Sequence, residues 1–217
     1  QTSNPLLLAD CADSLLSLGM EKEAEALFRE LLKWNPRAPQ KDRALAALGH
    51  IEMKRGSFQT ALGHFERFAG EVVGSRLSGA VLLSRAEILQ ASGRSADARS
   101  VLETLLANEY TLGKERAEAL YRIGEIHMRE DKPQLAIPYF QRLYVMHGRW
   151  REWVAKAYYR SGEAFERLSD EFSARRSYQE LAERADLAGF EETSKARSRL
   201  ELLGGPVEAK PVPSTEG

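Results

Sequence analysis

The sequence predicts an all-α protein of stacked helical hairpins, and three observations carry that prediction. A small residue, an alanine and a large apolar residue recur together at a nearly constant period. A turn signal sits at a fixed place inside each period, and strand-like alternation is absent. The triads are Ala12, Ala24 and Phe28; Gly49, Ala61 and Phe65; Ala86, Ala98 and Leu102; Gly124, Ala136 and Phe140; and Gly162, Ala174 and Tyr178. Successive alanines stand at 24, 61, 98, 136 and 174, so the steps are 37, 37, 38 and 38 residues.

The first helix starts at Asn4-Pro5, where asparagine caps free N–H groups and proline suits the first turn. Gly19-Met20 closes it, and the same turn returns at Gly56-Ser57, Gly93-Arg94, Asp131-Lys132 and Ser169-Asp170. Glycine there admits the left-handed conformation that ends a helix, and Asp131 and Ser169 are polar turn formers in its place. Apolar residues recur at three- and four-residue steps on both sides, as in Leu120, Ile123 and His127, then Ala136, Phe140 and Leu143. Five hairpins result, over about residues 4–36, 41–73, 78–110, 116–148 and 154–188. The small residues let two antiparallel helices approach closely, and the large residue fills the wedge beside them. Glu191 to Leu203 reads as a further helix with Ala196, Leu200 and Leu203 on one face, which caps an array spanning residues 1–203. Gly204-Gly205-Pro206 ends it, and residues 204–217 are expected to be a disordered tail or a linker.

Composition excludes several classes. Lys+Arg 31 against Asp+Glu 32 leaves a net charge of -1, so no basic excess points to nucleic acid. One cysteine makes no internal disulfide, and no run approaches the roughly 18–20 apolar residues of a membrane span. The chain opens on Gln1 without an initiator methionine, as a mature chain or a fragment would.

The five registered triads resemble the tetratricopeptide repeat, a helix-turn-helix unit of about 34 residues marked by Gly/Ala, alanine, an aromatic and often a closing proline. Pro36 supplies that proline in the first hairpin only. The longer period implies longer second helices or longer connections. The resemblance implies a right-handed superhelical solenoid whose first helices line a concave face, and a non-enzymatic protein-interaction scaffold. Segments such as AYYRSGEAFERLSD and KARSRLELL are similar to a bacterial envelope subgroup that includes outer-membrane-assembly lipoproteins and a Tol-Pal-associated periplasmic protein. That similarity implies the periplasm or the periplasmic face of the outer membrane. The alternative is a cytoplasmic regulatory or peptide-sensing module of a larger protein.

No constellation for catalysis is visible. His50, His64, His127 and His147 form no HExxH motif, paired cysteine ligands are lacking, and there is no glycine-rich phosphate loop, so neither cofactor nor metal is expected. His127 falls where the repeat family packs an aromatic between its helices, and His50 faces the inner surface as a solvated side chain. The pairs Glu163–Arg167 and Glu125–Arg129 have the i,i+4 spacing of surface ion pairs, worth about 0.3–0.5 kcal/mol each.

Candidate partner-binding residues come from the first helices of the last two hairpins. YRIGE at 121–125 and YRSGE at 159–163 place a tyrosine, an arginine and a glutamate one repeat apart. With Met128, Arg129, Lys156 and Arg167 they form a ladder of Tyr121, Arg122, Glu125, Tyr159, Arg160 and Glu163 suited to an extended chain or a helix. The competing reading is that these arginines and glutamates satisfy one another. In HGRWREW, residues 147–153, Trp153 is read as packing between hairpins and Trp150 as open to a partner. Chaperone-docking members of the family clamp a terminal carboxylate with lysine and asparagine. The corresponding inner positions here are Asp13, His50, Glu87, Glu125 and Glu163, which favour a basic or apolar partner instead.

PLLLADCAD, residues 5–13, resembles a lipoprotein cleavage box around Cys11. Its apolar run is short, no positive charge precedes it, and Asp10 occupies the place of a small uncharged residue. Cys11 is therefore expected to be a largely buried thiol beside the helix seam, and a membrane anchor would have to lie upstream of Gln1.

Overall fold

In the computed structural model, which describes residues 4–37 and 39–207, the same pair of hydrogen bonds closes each of the five predicted turns. In the first, the Met20 N–H donates to the Leu15 carbonyl at 2.9 Å and the Gly19 N–H to Leu16 at 3.0 Å. Ser57 to Glu52, Arg94 to Leu89, Lys132 to His127 and Asp170 to Phe165 repeat the longer-range bond. This Schellman closure needs a left-handed residue just past the helix. Gly19, Gly56 and Gly93 supply it at φ 77, 79 and 75, and Asp131 and Ser169 adopt it at φ 56 and 57. The two polar residues thus take on a strain that glycine avoids.

Eleven α-helices, one 3₁₀ turn and no strand are present among the described residues. The chain divides into two compact units, Gln1–Arg116 and Ala117–Gly217. The first holds α1 (Pro5–Ser17), α2 (Glu21–Lys33), α3 (Gln40–Lys54), α4 (Phe58–Glu71), α5 (Ser78–Ala91), α6 (Ser95–Ala107) and the opening turn of α7 (Gly113–Arg129). The second holds the rest of α7, then α8 (Pro133–Met146), α9 (Arg151–Arg167), α10 (Glu171–Glu183), the 3₁₀ turn Ala185–Leu187 and α11 (Glu191–Leu202). At the start of α1 the Asn4 side chain accepts a hydrogen bond from the Leu6 N–H at 2.9 Å, with Pro5 as first helical residue. Second helices keep 13 or 14 residues; α7 and α9 lengthen to 17, and four to six residues join successive hairpins. First helices and connections therefore carry the long period.

The seam inside each hairpin is tight. A Cβ built on Gly49 would stand 2.3 Å from Phe65 Cε1, on Gly124 2.4 Å from Phe140 Cε1, and on Gly162 2.4 Å from Tyr178 Cε1. Ala12, Ala24, Ala61, Ala86, Ala98, Ala136 and Ala174 are fully buried, as are Phe28, Phe65, Leu102, Phe140 and Tyr178. In the first unit Ala9, Ala12, Ala24, Phe28, Leu31, Ala44 and Leu48 form one cluster, which joins hairpin one to α3. In the second, α11 covers α10 and α9 with Thr193, Ala196 and Leu200 inward.

Four expectations are corrected. Cys11 is exposed, because no described element covers the face of α1 on which it stands. Residues 204–207 are pinned rather than loose: Arg175 donates to the carbonyls of Gly205 at 2.8 Å and Pro206 at 3.0 Å, and Gln179 Oε1 accepts from the Val207 N–H at 2.9 Å. Residues 208–217 of the expected tail lie outside the described residues. His50 is half-buried against Phe65 with Nε2 2.9 Å from Ser84 Oγ, so it is not a solvated side chain. The pairs Glu163–Arg167 and Glu125–Arg129 do not form. Both carboxylates turn to Arg160, while Arg167 donates to the Met128 carbonyl at 2.8 Å.

Two stability measurements follow from this geometry. Gly56→Ala has open space for its methyl but a left-handed backbone, so it lowers unfolding free energy by about 1–2 kcal/mol, whereas Gly63→Ala in the middle of α4 raises it by about 0.4–1 kcal/mol. Gly124→Ala costs about 1–3 kcal/mol by overpacking Phe140. Adding Phe140→Leu recovers much of that loss, because Ala86 with Leu102 is the pairing hairpin three already uses; denaturant titration of the single and double variants reads both.

Candidate functional site

In the second unit, the shared Tyr-Arg-x-Gly-Glu register sets equivalent side chains of α7 and α9 on neighbouring helices. Tyr121, Glu125, Lys156, Tyr159, Arg160 and Glu163 line one open groove of ≈ 360 Å³, and α11 completes it with Glu192 and Lys195. Six of the eleven candidate residues therefore converge.

The floor of this groove is a fixed charge cluster. Arg160 Nε donates to Glu125 Oε1 at 2.5 Å across to α7, and Arg160 Nη1 to Glu163 Oε2 at 2.5 Å on its own helix. Burial opposes the charged guanidinium, but hydrogen bonds and charge from Glu125 and then Glu163 outweigh it and hold Arg160 above the ordinary arginine range. At these three residues the mutual-satisfaction reading describes the contacts.

Both tyrosine rings are buttressed from behind. Tyr121 lies 5.9 Å from the Phe140 ring and 5.4 Å from that of Trp153, and Tyr159 lies 5.6 Å from Tyr178. Burial, followed by the Glu125 charge, pushes the Tyr121 phenol up; burial does the same to Tyr159. Neither phenol ionises near neutrality. The rim is looser: Lys156 pairs with Glu152 at 2.5 Å and sits 4.8 Å over the Trp153 ring, and Lys195 pairs with Glu191 at 2.8 Å.

The remaining candidates stand elsewhere. Met128 is only 1% exposed, because its position on α7 turns into the core, so it offers no surface to a partner. Arg122 pairs with Glu118 at 2.8 Å along α7, and Arg129 is exposed at the helix end. Arg167 is tied to the α7 end as described. Trp150 precedes α9, half-buried, with the Arg149 guanidinium 5.7 Å from its ring centroid. Trp153 packs on Tyr121, as expected. His127 is 6% exposed and stacked 5.6 Å from Tyr139, the packed imidazole expected from its register.

Glu192 and Lys195 were missed by sequence reasoning, which treated α11 only as a cover. The signal was present: they flank the buried stripe Thr193, Ala196 and Leu200 at helical spacing. A second, more apolar groove of ≈ 340 Å³ in the first unit was also missed. It is lined by α1, α3 and α5, with Leu16, Ala46, Ala47, His50 and Val81 among its walls and Arg43 held by Asp10 and Asp13 at its edge. Burial lowers the His50 pKa, which keeps that wall neutral.

Behind Tyr159, a second cluster anchors α11. The Tyr178 hydroxyl donates to Glu166 Oε1 at 2.6 Å, and Arg199 of α11 donates to both oxygens of the same carboxylate. Arg199 holds Glu166 below the usual carboxylate range, and burial with the Glu166 contact raises the Tyr178 phenol.

Comparison with known proteins gives matches to a repeat over part of the chain, and a fold. Tetratricopeptide repeat family models match residues 83–152 and 156–186. No curated protein matches the sequence. The crystal structure of MamA protein superposes with a TM-score of 0.65 at 15% identity over 94% of this chain and 98% of that one. A tetratricopeptide repeat protein from Parabacteroides merdae gives 0.68 at 18% identity over 92% and 73%. PilF from Pseudomonas aeruginosa gives 0.62 at 16% identity over 91% and 89%. At these identities the likeness is one of fold.

The Glu166 cluster makes a pH prediction. A carboxyl with a depressed folded-state pKa contributes stability that is fully present above its unfolded value of about 4.3 and is lost as pH falls through the folded value. Acidification through that window should therefore loosen α11 from α9. Glu166→Gln should be less stable at neutral pH and show a flatter acid limb in unfolding titrations.

Proposed function

We propose that this chain of tetratricopeptide hairpins is a non-enzymatic interaction scaffold that holds a peptide or helix of a protein partner in the groove between α7, α9 and α11. The observation that carries the reading is the pre-set floor. Arg160, Glu125 and Glu163 are locked together, two tyrosine rings are braced from behind, and the groove needs little ordering to receive a chain. The coarser part stands on the repeats themselves, a fold used generally for protein–protein contact, and no catalytic family is indicated.

Charge narrows the partner class. Glu125, Glu163 and Glu192 face Lys156, Arg160 and Lys195, so the groove is balanced and selects by pattern rather than by net charge. An extended peptide with alternating polar side chains and a ring or aliphatic group over Tyr159 fits. Two tyrosines offer at most several kcal/mol at about 25 cal/mol per Å², which after ordering costs supports affinities of about micromolar. A place in a bacterial envelope assembly belongs to the same proposal and rests on the similarity of residues 157–170 and 195–203 to that subgroup.

Cross-linked capture from the native organism, followed by identification of what is held, tests this reading. Tyr121→Phe with Tyr159→Phe keeps the packing, and Glu192→Lys with Lys195→Glu reverses the rim. The rim variant should weaken capture about tenfold, near 1.4 kcal/mol, with helicity unchanged. Unchanged capture in both variants would move the binding site to Trp150 or the first-unit groove. Fractionation of the tagged native protein tests the envelope placement, and recovery in the cytosol would overturn it.

A further inference from the structure

The charges of the α7, α9 and α11 groove are balanced along its lining but not evenly placed. Both lysines are already engaged by acids that stand outside the lining: Lys156 with Glu152 at 2.5 Å on α9, and Lys195 with Glu191 at 2.8 Å on α11. The floor spends two carboxylates on one guanidinium, since Glu125 and Glu163 both bind Arg160. Glu192 lines the groove from α11 and has no ion pair among the described residues. With the two outer acids counted, five carboxylates stand against three cations, so the site keeps a negative excess with Glu192 as its unanswered charge.

The tyrosine rings lie within reach of that charge. Burial is the first cause that raises the Tyr121 phenol, and Glu125, Glu192 and Glu163 all raise it further against Arg160 alone. Glu192 of α11 and Glu163 of α9 therefore act on the same ring. Tyr159, at the equivalent position one repeat on, is raised by burial and then by Glu163. Both rings are half-buried and braced by Trp153 and Tyr178, so what they show the groove is held in place.

Fixed aromatic surface beside an unanswered carboxylate suits one kind of side chain. A ring attracts a cation through its quadrupole, as the Lys156 ammonium 4.8 Å over the Trp153 ring already shows at the groove edge. Lysine and arginine can lay an aliphatic stem on a ring while the charged head reaches beyond it. An apolar helix pressed into the groove would cover Glu192 without answering it, which is costly for a carboxylate taken out of water. An acidic segment would meet like charge. Of the basic and apolar partners that the inner acids favour, the groove thus fits the basic one.

We propose that this groove contains a subsite for a lysine or arginine side chain of the partner, with the stem across the Tyr121 and Tyr159 rings and the charged head on Glu192. Arg160 stays tied to Glu125 and Glu163 beneath it. The subsite rests on the reading of this groove as the place where a partner is held, and adds the residue class that anchors the partner there.

Random dodecapeptides displayed on phage and selected on the full chain supply the probe. Selection should enrich sequences that share a lysine or arginine at one position. The enriched peptide, synthesised with blocked ends, should bind about tenfold more weakly when that residue becomes norleucine, which keeps a stem and removes the charge. Glu192→Gln, with helicity unchanged, should weaken the basic peptide about tenfold and leave the norleucine peptide as it was. The two changes together then cost no more than either alone, and that non-additivity ties the cation to Glu192. Independent, multiplying losses overturn the proposal. A photo-reactive residue beside the anchor position maps where each peptide sits. Peptides that cross-link to α7, α9 and α11 but carry no shared basic residue overturn the subsite and leave the groove as the partner site. Cross-links that fall elsewhere, or no enrichment at all, overturn the subsite and the groove reading together.

Discussion

Close contact between a residue without a side chain and an aromatic ring is the constraint from which the rest of this structure follows. Gly49, Gly124 and Gly162 leave no room for a methyl beside Phe65, Phe140 and Tyr178. That contact fixes how far apart the two helices of a hairpin stand and therefore which residues face the next hairpin. The left-handed turn residues only close the hairpin; the seam sets its width. Because interiors pack at near-crystalline density, one wrong methyl at the seam would displace a ring whose other face belongs to a neighbouring element. Tyr178 shows this plainly. Its ring fills the seam at Gly162 and supports Tyr159, and its hydroxyl holds Glu166, which in turn holds α11 through Arg199.

Much of this was legible in the sequence because helical hairpins are local. Turn positions, seam residues, the N-terminal cap at Asn4 and the final helix all depend on residues within one repeat, and the structure places them as the register predicts. Contacts between repeats were less legible. Helical spacing predicted Glu163 with Arg167, but Arg160 lies on the same surface and can reach both Glu163 and Glu125, a choice that depends on the adjacent helix. Met128 shows the same limit, since the difference between the inner face and the core is a rotation of a few tens of degrees along α7. Cys11 was misread for a different reason: its register is that of a buried position, and burial there requires a neighbour.

The two grooves divide along chemistry. The one in the first unit is walled by alanines, Leu16 and Val81, with a half-buried His50 kept neutral by desolvation. The one in the second unit is balanced in charge and carries its apolar content only in tyrosine rings. Such a difference follows from the residues at equivalent inner positions, Ala46 in one unit against Tyr121 and Tyr159 in the other, and Ala47 against Arg122 and Arg160. One array can in this way present surfaces of different selectivity without any change of backbone plan.

The arginine held between two glutamates has a consequence for kinetics. Arg160, Glu125 and Glu163 are half-buried and paired with one another, so added salt screens them less than it screens Lys195 and Glu191, which are more exposed. Under the proposed function, encounter with an oppositely charged segment of the partner is governed by the rim and slows as ionic strength rises. Under the same proposal, departure is governed by the floor and the rings, so the lifetime of a complex responds less to salt than its rate of formation does.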